Sequence, residues 1–468
     1  MLRIAFFLLF VISVIPLPAI GTGTIDTPKL HDPSSLPVFV DCDELPHVTP
    51  ADVDRIFSLY SLPGSPGCAV GVMFREHLIF ANGYGMANLD YDLPIRPDSR
   101  FLIASVSKQF AAAALLMLEQ EGKIDLDADI RKYIPELPRY QPAITPRQLI
   151  HHTSGLRDLY NLLNLADIGL DNTTTTDDAI ELLSRQRQLN FPAGSAHIYS
   201  NSGYLLISVL IERITGMTLD AYSQKHLFEP SGMKHTHWHD DTGRIVPNRV
   251  ISYRPMPFGS GRFYRDNMDR VGARGLFTTL FDFHLWHSNF IHNKTHLNDF
   301  NRKMTEPGRL PGRTLAYASG LRTGRYKTLH TVGHSGSYMG FVSDYIHIPS
   351  QQFAVAVFCN QSNFTPAALS RKVADLYLAP VFDDIFKPYE GVYTHTASGT
   401  QYQILTKQGD LFLVHDETEL KKRLRWHQND QFESDAWSLR FYRHSGAVNR
   451  FTIQSDQAGV LTFYLNES

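Results

Sequence analysis

The chain of 468 residues contains little cysteine: only Cys42, Cys68 and Cys359. Their spacing is not that of a metal site, which argues against a cysteine-ligated metal centre. One disulfide would suit an exported protein, but the spacing does not choose the pair. Cys68 and Cys359 both lie in apolar, strand-like runs, so buried free thiols fit equally well. The cysteine content therefore leaves the redox state open.

The sequence also has no large net charge, either positive or negative. The formal net charge is −3, with 19% charged and 43% hydrophobic residues, as in an ordinary globular protein. No basic cluster interleaves with aromatic residues, and no glycine-rich phosphate loop stands out. The sequence therefore gives no reason to expect a nucleic-acid partner.

Beyond the first twenty residues, no apolar run approaches the length of a membrane span. Residues 1–20 begin Met-Leu-Arg, continue almost wholly apolar from Ile4 to Pro18, and then turn to small residues. This order is typical of a signal peptide, with an uncleaved membrane anchor as the alternative. We therefore expect a periplasmic or secreted protein with no membrane span beyond the signal peptide.

The length predicts more than one domain. Residues 21–50, rich in Pro, Thr and Asp, are interpreted as a linker. Residues 51–380 have a hairpin pattern from Cys68, helical patterns in the middle and apolar strand patterns again near Phe353. This order predicts an α/β (α+β) domain in which early and late strands share one sheet.

Residues 389–468 have a different pattern, with short strand-like segments, turn residues between them and no helical periodicity. The segments begin at Gly391, Gln401, Leu411, Arg423, Gln431, Leu439, Arg450 and Val460. Close and regular spacing of strands predicts an eight-stranded antiparallel sheet or small barrel.

Ser105 and Lys108 stand at the start of an alanine- and leucine-rich run that continues to Gln120. Residues three apart share a helix face, and helical side chains lean towards the N-terminus, so the amine approaches the hydroxyl. The first turn also favours developing negative charge. The pattern predicts an activated serine nucleophile; the alternative is a capping serine before a solvent-facing lysine. Ser231 and Lys234 repeat the spacing without a helical pattern after them.

Two further motifs follow in chain order. Tyr199 and Asn201 lie on a loop just before a helical pattern, and alternate residues of an extended loop point the same way. His334, Gly336 and Ser337 lead into an apolar strand, where the glycines of the segment would let a substrate approach the backbone. All five residues are therefore candidates for one cleft.

In this order, Ser-x-x-Lys, Tyr-x-Asn and His-x-Gly resemble the motifs of the penicillin-recognising serine hydrolases, a serine β-lactamase-like and penicillin-binding-protein-like family. The similar branch holds class C β-lactamases, D-Ala-D-Ala carboxypeptidases, D-aminopeptidases and esterases. The resemblance covers roughly Ile56 to Leu378 and includes His152–Leu156 and Gly275–Thr279. The chain from Tyr389 resembles the lipocalin-like domain of some members. The resemblance implies an antiparallel sheet flanked by helices, followed by a β-barrel.

The resemblance also implies roles for the motif residues. Ser105 would attack a carbonyl and form an acyl-enzyme, with Lys108 and Tyr199 as proton carriers. Burial would lower the pKa of the lysine, and nearby cations would depress that of the phenol, so the sequence does not decide which group is the base. Asn201 would bind the substrate or hold the amine. The backbone N–H groups of Ser105 and Ser337 would form the oxyanion hole.

His334 departs from the lysine that β-lactamases of the family usually have there. An imidazole carries less positive charge at neutral pH and attracts a substrate carboxylate less strongly, which disfavours a β-lactamase specifically. Arg274 replaces a small residue, and it either faces the cleft and binds a carboxylate or points outwards. His237 and His239 alternate as metal ligands on a strand would, but their polar segment is interpreted as a solvated edge or loop.

We therefore expect an exported serine hydrolase that acts through an acyl-enzyme on D-amino-acid-containing peptides or small amides and esters. No metal or organic cofactor is expected, and a homo-oligomer is compatible with the sequence. The alternatives are a promiscuous esterase, a weak β-lactamase, or a non-catalytic penicillin-binding scaffold on the same fold.

Overall fold

The structure, a computed structural model, describes residues 38–39, 45–169, 172–255, 262–264, 267, 269–415, 420–455 and 459–466. The predicted signal peptide, Cys42 and most of the predicted linker lie outside these residues. The domain bounds given above stay predictions.

Strands from distant parts of the chain form one antiparallel sheet, as predicted. In spatial order its seven strands are Val38–Phe39, His77–Tyr84, Cys68–Phe74, Phe353–Cys359, Phe341–Ile348, Leu329–Tyr338 and Arg322–Tyr326. The three central strands are buried along almost their whole length. Buried apolar residues pack on both faces of the sheet, which explains why these strands are apolar throughout rather than alternating.

Cys68 and Cys359 stand opposite each other on neighbouring central strands and form a disulfide. Their Cα atoms are 4.0 Å apart. Of the two alternatives open from the sequence, disulfide or free thiols, the structure has the disulfide.

Helices cover both faces of the sheet. The α-helices are Pro50–Phe57, Lys108–Gln120, Pro146–Ile150, Leu159–Leu165, Thr176–Ser184, Asn201–Thr215, Leu219–Ser223, Glu229–Ser231, Leu280–His292, Phe300–Thr305 and Pro366–Phe386. Lys108–Gln120 is buried from its first residue to Leu118, because its alanines let neighbouring elements approach from all sides. Asn201–Thr215 packs against it and ends at Gly216, whose φ of 71° needs the conformational freedom of glycine.

The other described strands that precede the C-terminal barrel form smaller sheets. Phe101–Leu102, Leu276–Thr278 and His237–Trp238 form a three-stranded sheet. Two-stranded pairs are Met86–Asn88 with Leu93–Pro94, Ser252–Arg254 with Arg262–Tyr264, and Arg309–Leu310 with Arg313–Thr314.

His237 and His239 are not on a solvated edge, so that interpretation was wrong for these two histidines, whereas His235 is exposed. His237 and His239 are each 2% exposed and pack against Phe277. Phe277, on the neighbouring strand of the three-stranded sheet, covers these two histidines despite the polar composition of the segment. Within the described residues, no group of three or more histidine, cysteine or acidic side chains is arranged to hold a metal.

The C-terminal strands close into the predicted eight-stranded antiparallel barrel. They are Gly391–Thr394, Gln401–Lys407, Asp410–His415, Leu420–Gln428, Gln431–Glu433, Ser438–His444, Ala447–Ser455 and Gly459–Leu465. Side chains such as Tyr393, Phe432 and Phe451 fill its interior and are fully buried. The same apolar cluster includes Phe382 and Phe386 of the preceding helix, so the barrel packs onto the end of that helix.

Among the described residues, no individual helix has the length and apolar character to cross a membrane. One bent pair, Asn201–Thr215 with Leu219–Ser231, satisfies length and composition when taken together.

Candidate active site

Ser105 lies in a 3₁₀ turn, Ala104–Ser107, that runs directly into the helix Lys108–Gln120. The predicted first helical turn is therefore a tighter 3₁₀ turn. Ala104 has φ +49°, in the left-handed region that residues with a Cβ rarely adopt. A constrained residue directly before a serine at a helix start is typical of a functional site.

Lys108 is fully buried, and its Nζ atom lies close to three oxygen atoms. The Nζ atom is 3.1 Å from Ser105 Oγ, 2.9 Å from Asn201 Oδ1 and 2.6 Å from the backbone oxygen of Ala273. Loss of hydration lowers the pKa of the amine well below its usual value, and this effect outweighs the charge of Asp158, which acts to raise the pKa, while the charge of Arg322 lowers it further. A neutral amine beside the serine hydroxyl is therefore favoured.

Tyr199 approaches the same hydroxyl from the other side, and its OH donates to Ser105 Oγ at 2.9 Å. Its ring centroid lies 4.9 Å from Lys108 Nζ. Burial raises the pKa of the phenol well above its ordinary value, although the hydrogen bond with Ser105 and the charge of Arg322 act to lower it. The expectation of a depressed phenol pKa was wrong, because desolvation outweighs the nearby cations.

Asn201 holds the amine, and Asp158 orients Asn201. The carboxylate Oδ2 of Asp158 accepts from the backbone N–H of Asn201 at 2.7 Å and from its side-chain Nδ2 at 2.9 Å. Because the amide nitrogen is engaged there, the amide oxygen faces Lys108. Sequence reasoning missed Asp158. Its signal was weak, since Asp158 also caps the helix Leu159–Leu165 by accepting from Asn161 N–H.

His334 lies on the strand Leu329–Tyr338 and is 4% exposed. Its Nδ1 atom is 2.6 Å from the backbone oxygen of Ser335, and its Nε2 atom is 3.2 Å from the hydroxyl of Tyr317. A carbonyl oxygen only accepts, so Nδ1 carries the proton and Tyr317 donates to Nε2. Burial lowers the pKa of His334 to about 3, and the charge of Arg322 acts in the same direction, while the hydrogen bond with Ser335 acts to raise it. The imidazole is therefore neutral at physiological pH.

Gly336 and Ser337 continue the same strand but face different surroundings. A Cβ on Gly336 would lie 2.6 Å from the backbone oxygen of Ile103 and 3.0 Å from the Cβ of Ala104. The absent side chain thus makes room for the 3₁₀ turn Ala104–Ser107 rather than for the substrate, which corrects the reason given for this glycine. Ser337 lines the cleft, and the oxyanion role of its N–H stays a prediction.

The cleft has a volume of about 270 Å³. Some of the residues that line it lie outside the three sequence motifs. Arg274 is 3% exposed and lines the cleft; its Nε donates to the hydroxyl of Tyr160 at 3.0 Å. Its guanidinium carbon lies 4.1 Å from the ring centroid of Tyr338. Of the two orientations considered for Arg274, the structure has the one that faces the cleft, and its binding of a carboxylate stays a prediction. Arg322, which no motif marks, lies 5.6 Å from the ring centroid of Tyr199.

His152 packs against the ring of Tyr199. Its ring centroid lies 4.2 Å from that of Tyr199, and its Nδ1 accepts from the backbone N–H of Ser200. Burial lowers the pKa of His152 well below its ordinary value, so its ring is neutral. Its role is packing behind the site.

The second Ser-x-x-Lys motif has no such arrangement. Ser231 is 2% exposed, accepts from Asn289 Nδ2 at 3.0 Å and lies outside the cleft, whereas Lys234 is exposed. The structure therefore brings together Ser105, Lys108 and Tyr199, with Asn201, His334 and Ser337 around them.

Comparison with known proteins places this cleft in a family. The family described as Beta-lactamase matches residues 57–379, well over half of the chain. The chain belongs to the Beta-lactamase family. Its motif residues Ser105, Lys108, Tyr199 and His334 all lie within the matched segment.

Among curated relatives, the D-aminopeptidase of Gluconobacter oxydans (strain 621H) is 26% identical over 313 residues, 67% of this chain and 59% of the relative. The D-aminopeptidase of Cereibacter sphaeroides (strain ATCC 17029 / ATH 2.4.9) is 28% identical over 319 residues, 68% of this chain and 61% of the relative. The chain thus spans about three fifths of the length of these relatives.

Solved structures share the fold. The octameric penicillin-binding protein homologue from Pyrococcus abyssi matches with a TM-score of 0.61 at 19% identity, over 88% of this chain and 98% of that chain. The D-amino acid amidase from Ochrobactrum anthropi SV3, complexed with L-phenylalanine, matches with a TM-score of 0.58 at 21% identity, over 73% of this chain and all of that chain (100%). At such identities the likeness shows the fold alone, which is that of serine β-lactamase-like and penicillin-binding-protein-like hydrolases.

Proposed function

We propose that this protein is an exported serine hydrolase that acts through an acyl-enzyme on D-amino-acid-containing peptides or small amides and esters. The observation that carries the proposal is the environment of Lys108 Nζ. Two carbonyl oxygens, those of Ala273 and Asn201, and one hydroxyl surround it. A neutral amine has two hydrogens and one lone pair, and carbonyl oxygens only accept. The lone pair is therefore left for the hydroxyl proton of Ser105.

This arrangement supports Lys108 as the base and Tyr199 as the proton relay. Ser105 Oγ bonds to the substrate carbonyl carbon while its proton passes to Lys108 Nζ. The proton then reaches the leaving nitrogen through the neutral hydroxyl of Tyr199, and the C–N bond breaks to leave an ester on Ser105. Water, activated by the same groups, cleaves the ester and restores the serine. The backbone N–H groups of Ser105 and Ser337 would stabilise the negative oxygen.

The substrate class rests on the relatives and on His334. Two relatives that the chain matches over about two thirds of its own length are named D-aminopeptidases. A neutral imidazole at position 334 offers no charge to the carboxylate that a β-lactam would present there. The names of the relatives favour cleavage after a D-residue, and the neutral imidazole disfavours β-lactam hydrolysis.

Export is proposed on two grounds. Residues 1–20 have the order of a signal peptide. Cys68 and Cys359 form a disulfide, and disulfides persist in oxidising compartments.

A hydrolysis panel tests the proposal. D-amino-acid amides, D-Ala-D-Ala peptides, p-nitrophenyl esters and a chromogenic cephalosporin are compared with the full-length protein. We expect turnover of the D-amino-acid amides or peptides. Turnover of esters alone would support the esterase, and turnover of the cephalosporin would support a β-lactamase. A protein that no acylating agent labels would be a scaffold.

Variants of the two Ser-x-x-Lys motifs identify the nucleophile. Ser105→Ala should lower kcat by at least about a thousandfold, because the attacking oxygen is removed. Ser231→Ala, the matched control, should keep kcat within about twofold, with its thermal unfolding measured because Ser231 is buried. In acid-quenched reactions, mass spectrometry should find the acyl group on the peptide that contains Ser105. Equal losses in both variants would show that the wrong serine was chosen.

A further inference from the structure

A strand hairpin at the edge of the central sheet runs from the cleft towards the C-terminal barrel. Its strands are Arg322–Tyr326 and Leu329–Tyr338. Arg322 and His334 line the cleft, and Arg322 is paired with Gly333, the neighbour of His334. Arg322–Tyr326 is the last strand in the order of the sheet, so within the described residues it has one sheet neighbour. Contacts outside the sheet therefore also contribute to the position of this strand.

Those contacts lie at the far end of the hairpin, in the turn that holds Lys327. The side chain of Lys327 is 10% exposed, and its Nζ lies 2.9 Å from Asp375 of the helix that precedes the barrel and 3.3 Å from Asp410 of the barrel. Nζ also donates to the backbone oxygen of Gly409 at 2.6 Å. The ammonium lies 4.1 Å from the ring centroid of Phe382. We call Lys327, Asp375, Asp410 and Gly409 the Lys327 clamp.

Neighbouring contacts hold the same elements together. The hydroxyl of Tyr326 donates to Asp375 Oδ1 at 2.8 Å, and the N–H of Gly409 donates to Asp383 Oδ1 at 2.7 Å. Gly409 has φ +77°, and a Cβ there would lie 3.3 Å from Phe382. Glycine is thus required at the point where the barrel meets the helix.

The ammonium group of Lys327 connects the hairpin turn, the helix Pro366–Phe386 and the barrel. Its carboxylates are only 22% and 21% exposed, so water screens the attraction less than at an open surface. Hydrogen bonds between charged groups are stronger than neutral ones and fix geometry. If the ammonium group were removed, the negative charges of Asp375 and Asp410 would no longer be balanced by Lys327.

We propose that the barrel holds this hairpin in position beside the cleft. The Lys327 clamp fixes the turn, and the paired strands carry that position over about 17 Å to Arg322 and His334. Lys327 is thus a positioning residue outside the cleft whose influence falls on substrate binding. The kinetic part of this inference rests on the proposed function; the effect on the hairpin itself does not.

Lys327→Met tests the proposal in the full-length protein, because methionine keeps the contact with Phe382 and removes the charge. Hydrogen–deuterium exchange over Arg322–Tyr326 should become faster than in the wild type. With the best D-amino-acid substrate of the panel, KM should rise by at least about fivefold while kcat stays within about twofold. Lys327→Arg should recover part of the loss, since the cation is restored.

Arg423→Met is the matched control. Arg423 pairs with the same Asp410 at 2.8 Å, but it lies on the barrel and its side chain is 54% exposed. Exchange over the hairpin and KM should both match the wild type.

Asp410→Asn keeps the test decisive if Lys327→Met does not fold, because it removes the barrel carboxylate and leaves the pair of Lys327 with Asp375. The exchange over Arg322–Tyr326 should again become faster and KM should again rise, but both changes should be smaller than in Lys327→Met. Unchanged exchange over Arg322–Tyr326 in a folded clamp variant would overturn the proposal. Faster exchange with unchanged KM would overturn it as well. A wild-type protein without turnover would refute the proposed function, and the exchange result would still decide whether the barrel braces the hairpin.

Discussion

Lys108 shows what single residues contribute to this site. A fully buried ammonium is costly, so burial favours the neutral amine that the proposed reaction needs. The oxygens of Asn201 and Ala273 then use its two hydrogens. The fold thus favours the neutral form of the proposed base without any contribution from a substrate.

The buried amine also predicts how stability depends on pH. The folded pKa of Lys108 lies well below its ordinary value of 10.5. Between these two values the unfolded chain binds a proton that the folded chain does not, so stability rises with pH. From about pH 8 to 9.5, the free energy of unfolding of the wild type should gain up to about 1.4 kcal/mol per pH unit relative to Lys108→Met. Urea denaturation of both proteins measures the difference, and parallel profiles would contradict it.

At this scale the sequence predicted the chemistry of the motif residues better than their surroundings. Ser105, Lys108 and Tyr199 converge as their spacing and the family resemblance implied. The sign of the pKa shift of Tyr199 could not be predicted, because it depends on how much water the folded chain removes. Arg322 and Asp158 were missed because their positions come from distant strands and loops.

Among the elements, the 3₁₀ turn Ala104–Ser107 and the strand Leu329–Tyr338 depend on each other. Gly336 lets the strand approach the turn so closely that a Cβ would overlap Ile103 and Ser343. The contact holds Ala104, with its left-handed φ, in place. A glycine on a strand thus sets the position of a serine more than two hundred residues earlier.

Gly336→Ala should therefore damage both stability and activity. We expect a loss of about 1–3 kcal/mol in the free energy of unfolding, the usual cost of overpacking, together with a lower kcat because the turn moves. Urea denaturation and the hydrolysis panel measure the two effects. Gly324→Ala on the neighbouring strand is the control, since its new Cβ meets nothing closer than 3.7 Å. A tolerated Gly336→Ala would show that the contact does not position the turn.

The sequence located most elements but not their exact form. Strand patterns predicted the central sheet and all eight barrel strands, because apolar runs between turn residues are local signals. The 3₁₀ turn at Ala104–Ser107 was predicted as part of the helix, since backbone strain imposed by a distant strand leaves no local pattern. The burial of His237 likewise depends on the neighbouring Phe277.

For the whole molecule, many buried histidines set the response to acid. Within the described residues, burial lowers the pKa of several histidines far below 6.5. Those with a pKa of about 3 or 4 are His151, His237, His284, His334 and His347. Those with a pKa well below the ordinary value are His152 and His287.

Acid should therefore destabilise the protein at an unusually high pH. Below pH 6.5 the unfolded chain takes up protons at these histidines while the folded chain does not, so stability falls as the pH falls. Each histidine contributes up to about 1.4 kcal/mol per pH unit. Calorimetry from pH 7.5 to 5 should show a steep fall in Tm. In His347→Phe the fall in Tm should be less steep, because one of the contributing histidines is removed. A Tm independent of pH in this range would refute the prediction.

The bond between Cys68 and Cys359 spans a sequence separation of 291 residues. A protease that cuts once anywhere between them releases nothing: both pieces stay tethered through the middle of the sheet. On a gel such a clipped molecule would migrate as one species until a reductant is added. Loss of mass under non-reducing conditions thus requires a cut outside that interval, or two cuts within it.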